Sequence, residues 1–81
     1  DAAVRCGMPR AQAYTYASQT VKGSAELVLE TGKHPAVLKD SVCSPAGTTI
    51  AGVVALEANG FRNAVIEAVT AANDKSVALG K

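Results

Sequence analysis

Phe61, Val65, Val69, Ala72, Ser76 and Leu79 are separated by four, four, three, four and three positions. That spacing lays all six along one face of an α-helix and is incompatible with the two-residue repeat of a strand. The same spacing recurs earlier. Tyr14, Ala17, Val21, Ala25 and Val28 form one stripe, which Leu27 and Leu29 broaden. Val37, Leu38 and Val42 mark a short helix opened by His34-Pro35, and Ile50, Val53, Val54 and Leu56 mark another. No alternating apolar–polar run has any length, and the β-branched residues lie inside helical patterns. The chain is therefore expected to be all-α, a small bundle of four to five helices.

Glycine and proline set the boundaries. Asp1 to Cys6 reads as a helix closed by Gly7. Pro9 suits the first turn of the next helix, where its missing N–H would have no intrahelical partner. That helix is expected to reach Glu30 and stop at Gly32. Asn59-Gly60 ends the fourth helix, and the last runs from Phe61 to about Leu79.

Eighty-one residues make one domain. An apolar fraction of 48% argues against disorder, but only 4% of residues are aromatic and alanine is the commonest type, so the core material is small. A chain of this length buries roughly 60–65% of its unfolded surface, and alanine adds little to that. A partner subunit is expected to complete the core. Ala13, Ala17, Gly23 and Ala25 in one helix, and Ala64, Ala68, Ala71 and Ala72 in another, would let helix axes approach closely. They suit a bundle interlocked with a second copy, although alanine is also simply a good helix former.

A net charge of +1 with 19% charged residues of both signs gives no electrostatic footprint for nucleic acid. No stretch approaches the ~20 apolar residues of a membrane span. The opening DAAVRCGMPR has no signal-peptide pattern and no initiator Met, and it reads as a piece of a longer protein. Cys6 and Cys43 are expected to be two reduced, buried thiols of a cytoplasmic protein. No spacing of Cys and His suggests a metal site.

The segment SPAGTTIAG, Ser44 to Gly52, joins two apolar helices. Ser44, Thr48 and Thr49 are natural N-cap residues, so a plain helix cap is one reading. The other uses the same physics. A helix start carries N–H groups without partners and the positive end of the helix dipole, and it attracts anions. Gly47 allows a close approach, and the hydroxyls add directional bonds. No lysine follows Gly47, so this is not a polyphosphate loop, and a small carboxylate fits better.

The run His34-Pro35, Leu38-Lys39-Asp40, Ser44-Pro45, Gly47-Thr48-Thr49-Ile50 and Gly60-Phe61-Arg62 resembles the C-terminal domain of the pyrroline-5-carboxylate reductase family. The resemblance covers practically the whole chain, from RCGMPR to GFRNAVIEA. It implies an enzyme that reduces Δ1-pyrroline-5-carboxylate to L-proline with NADPH or NADH. It also implies an N-terminal Rossmann domain, absent here, followed by a helical domain (residues 1–81 of this sequence) that interlocks with its twin as a homodimer. Dimers of the family assemble further, commonly into decamers. Carried over by position, Ser44 and the backbone N–H groups near Gly47 and Thr48 would hold the substrate carboxylate. Thr49, the catalytic candidate, would hydrogen-bond the ring nitrogen. The family often has glycine where this chain has Ala46, whose methyl restricts φ > 0 and puts the backbone path in doubt.

With no Gly-x-Gly-x-x-Gly and no βαβ unit, the chain itself is expected to bind no dinucleotide. Lys39 and Asp40 suit a solvated face, His34 a turn or cap, and Tyr14 and Tyr16 an interface or core. Two further readings stay beside the enzyme: a ligand-free helical homodimerisation module whose loop is only a cap, and a carrier domain. For the carrier, Asp40-Ser41-Val42 is a poor match to an attachment site.

Overall fold

The computed structural model describes residues 1–80. Among them are five α-helices and no strand: α1 (Ala2–Arg5), α2 (Arg10–Thr31), α3 (Pro35–Val42), α4 (Thr48–Ala58) and α5 (Phe61–Leu79). The expected all-α class is thus observed, with ends close to those read from the glycines and prolines. The chain divides into two units, Asp1–Ser41 and the part from Val42 onward.

In the first unit, α1 ends in a Schellman arrangement. The Met8 N–H donates to the Ala3 carbonyl and the Gly7 N–H to that of Val4, both at 3.0 Å. Arg10 crosses back to Asp1 at 2.8 Å, and its guanidinium lies 5.9 Å from the centre of the Tyr14 ring. The ion pair is exposed and contributes under about 1 kcal/mol. Pro9 precedes the first turn of α2, and Gly32 closes that helix. Ala13, 3% exposed, is the one buried side chain among the described residues.

His34 caps α3 with its ring. Nδ1 accepts from the Ala36 N–H at 3.0 Å, so the ring is neutral in this arrangement with its proton on Nε2. This is the second residue of the helix, the usual target of an N-cap side chain. His34→Ala is expected to cost about 1 kcal/mol. Thermal denaturation would show the loss, and faster amide exchange confined to the start of α3 would locate it.

In the second unit, α4 and α5 meet at a tight corner. Gly60 adopts φ 69°, a left-handed conformation that a side chain would strain. Asn59 Nδ2 donates to the Ala55 carbonyl at 2.8 Å, and Arg62 reaches Glu57 at 2.9 Å. No described residue of this unit is buried. The stripe read on the last helix is regular but uncovered: Phe61, Val65, Val69 and Leu79 are 49–75% exposed. Helix α4 carries a single charged residue, Glu57, and its apolar side chains point all round the axis. Such a helix belongs inside a larger core.

The thiols need a correction. Both are free, as expected, but Cys6 is exposed and Cys43 is only half-buried. Residues of α1 and of the loop after α3 have too few neighbours within the chain to enclose them. No described helix is long and apolar enough to cross a membrane.

Candidate functional site

Helix α3 stops at Val42 because Pro45 follows closely. Proline disfavours helical φ/ψ at the residue before it, so Ser44 leaves the helix in an extended path. The chain then turns sharply. The Gly47 N–H donates to the Ser44 carbonyl at 3.0 Å, closing a four-residue turn over Pro45 and Ala46. Proline holds φ near −65°, while Ala46 has φ 58°. Of the common hydrogen-bonded turns, only type II combines those two values. Ala46 is the one non-glycine residue at positive φ among the described residues.

Gly47 is the N-cap of α4, with φ −81° and ψ 177°, a conformation any residue adopts. Glycine is required there for a different reason. A Cβ at position 47 would lie 2.7 Å from Ser44 Oγ and 3.2 Å from the Ser44 carbonyl oxygen. The glycine therefore lets the turn close against Ser44 and fixes where that hydroxyl sits. Gly47→Ala is expected to drive the Ser44 side chain from its position and to destabilise the fold by about 1–2 kcal/mol through overpacking. Urea denaturation measures the second effect, and the Ser44 side-chain NMR signals report the first.

The hydroxyls do not cap the helix. Neither Ser44 nor Thr48 nor Thr49 makes a side-chain cap bond to α4. Elsewhere hydroxyls turn back onto the helix: Thr20 and Thr31 each donate to a carbonyl four residues earlier at 2.7 Å, and Ser41 to that of Leu38 at 2.6 Å. Thr48 and Thr49 have no preceding helical turn to bond to, so their hydroxyls stay exposed. The plain-cap reading of the sequence is thereby overturned in its simplest form.

The first intrahelical acceptor is the Gly47 carbonyl, which receives the Ala51 N–H at 3.3 Å. The N–H groups of Thr48, Thr49 and Ile50 have no partner among the described residues. Gly47's own N–H is engaged with Ser44, so the donors shift one place along the chain from where the sequence alone put them. Ile50 is the contributor missed by that reading, and its helix-third position was the available clue. The first turn of α4 contains no acidic residue, so nothing in the chain neutralises the positive end of this 11-residue helix.

Ser44, Gly47, Thr48 and Thr49 therefore share one loop and one helix start. His34, Lys39 and Asp40 belong to the first unit. There His34 caps α3, and Lys39 and Asp40 pair with each other at 3.1 Å. No described group of three or more His, Cys, Asp or Glu could hold a metal ion.

The fold and loop together define a class: an all-α domain with uncovered apolar helices and a helix start suited to an anion. The comparisons with known proteins name the family. A family model described as pyrroline-5-carboxylate reductase dimerisation matches residues 1–79. The pyrroline-5-carboxylate reductase of Escherichia coli (strain K12) is 64% identical over all 81 residues, which cover 30% of that protein. That of Arabidopsis thaliana is 53% identical over the same length, 29% of its chain. The crystal structure of Plasmodium falciparum pyrroline carboxylate reductase with NADP bound superposes on the whole chain with a TM-score of 0.93 at 41% identity, covering 33% of that structure. The chain belongs to the pyrroline-5-carboxylate reductase dimerisation family. It spans about 30% of the length of these curated relatives.

Proposed function

We propose that this chain is the part of a pyrroline-5-carboxylate reductase that pairs with a second copy and presents the loop that receives the substrate. The start of α4 carries the reading: three N–H groups without partners, beside hydroxyls that the chain leaves unused. A carboxylate of Δ1-pyrroline-5-carboxylate would take the N–H groups of Thr48 to Ile50 and the Ser44 hydroxyl. The Thr49 hydroxyl would face the ring nitrogen and stabilise it as iminium becomes amine.

The chain's share of catalysis is positional. It orients the imine for hydride delivery, which replaces a bimolecular encounter with a fixed geometry. A nicotinamide cofactor, NADPH or NADH, supplies the hydride. With no strand and no glycine-rich βαβ turn among the described residues, this chain offers no seat for the dinucleotide. A Rossmann domain elsewhere in the longer protein would hold it. The relative from Plasmodium falciparum is described with NADP bound.

Dimerisation follows from the absence of a core. One small side chain, Ala13, is buried, while Tyr14, Leu29, Val54, Phe61 and Val69 are each more than half exposed. Burying one such large side chain is worth about 1.5–3 kcal/mol. A second copy that interlocks its helices with these would supply the missing burial, and further assembly such as a decamer would build on the dimer.

Titrating the full-length protein with L-proline tests the site. Binding with chemical-shift changes confined to Ser44–Ile50 is the expected result. A protein that dimerises but shows no proline-dependent change at this loop would be the ligand-free homodimerisation module instead.

A further inference from the structure

The site loop contains one conformation that its own contacts do not explain. Ala46 has φ 58°, a region costly for any residue with a Cβ. The bond that closes the turn, Gly47 N–H to the Ser44 carbonyl, is equally available to a type I turn. In that form the Pro45–Ala46 peptide is rotated by about half a turn and Ala46 has φ near −90°. Cα positions barely change between the two forms. What changes is which group of that peptide, N–H or C=O, faces each side of the loop. Strain of this kind persists where surroundings or a ligand select it.

We propose that Ala46 is a positioning residue that sets the loop's affinity for a carboxylate ligand through this peptide flip. The type II form receives the anion, and the relaxed type I form, which alanine favours intrinsically, does not. The inference rests on the reading of the loop as the substrate-carboxylate site. Apparent affinity is the intrinsic affinity reduced by the fraction of competent loop. Alanine lowers that fraction. Glycine, which adopts positive φ freely, would raise it. A β-branched side chain would lower it further, because positive φ is more costly for it.

The test measures L-proline binding and steady-state kinetics in the full-length enzyme, comparing the natural sequence with Ala46→Gly, Ala46→Val and Thr49→Ala. Ala46→Gly is expected to tighten L-proline binding by about three- to tenfold, with the kinetic change in KM rather than kcat. Ala46→Val is expected to weaken it. A purely structural role for Ala46 would move thermal stability and leave this KM-against-kcat split unmoved. If Ala46→Gly binds proline no better than the natural sequence while Thr49→Ala binds worse, the loop is the site and the flip is wrong. If none of the variants alters binding, the site assignment itself fails, and the flip with it.

Discussion

Thr49→Ala in the full-length reductase is expected to lower kcat/KM by about 10- to 100-fold with little change in the thermal midpoint. The two halves of that expectation have separate origins. Thr49 is the second residue of α4, is exposed, and makes no hydrogen bond within the described residues. Removing its hydroxyl takes nothing from the fold, and alanine is the better helix former. The proposed partner is a ring nitrogen whose charge changes during reduction, and a bond to a charged group contributes about 1.5–3 kcal/mol. Thr49→Ser keeps the hydroxyl and should restore most of the rate. An unchanged kcat/KM in the alanine variant would remove Thr49 from the site, and a large fall in the midpoint would make the effect one of folding.

Val69→Asp is expected to have the larger effect on assembly. Within a single chain Val69 is 65% exposed, so a carboxylate there would be solvated, and surface changes of that sort stay within about 0.5 kcal/mol. In an interlocked dimer the same carboxylate would be driven into an apolar interface without a partner. That costs several kcal/mol per copy. Sedimentation at micromolar concentration should show the natural protein as a dimer or larger assembly, and the variant as monomer with a broadened or absent thermal transition. A variant that assembles and melts like the natural protein would show that the Phe61–Leu79 stripe faces solvent in the assembly.

Most of the helical architecture was legible because its determinants are local. The stripe from Phe61 to Leu79 is a repeat along one helix, and α5 occupies those residues. Pro9, Gly32 and Asn59-Gly60 act on their own φ/ψ and hydrogen bonds, and each stands at an observed boundary. The site loop was legible as a location but not as a set of bonds. Ser44, Thr48 and Thr49 are good capping types, yet the cap is Gly47, because the turn over Pro45 and Ala46 brings the backbone in against Ser44. Which hydroxyl bonds to which N–H depends on a few dihedral angles, and residue types only bias those.

The sequence by itself determined the helices, their ends, the family and the position of the loop, since each depends on residues a few positions apart or on a motif read directly. The three-dimensional structure decided that Ala46 takes a left-handed turn against its own preference, that Gly47 is needed for closeness to Ser44, and that the N–H groups of Thr48, Thr49 and Ile50 stay free. It also showed how little the chain encloses by itself. These depend on where atoms from neighbouring residues meet in space, which periodicity does not encode.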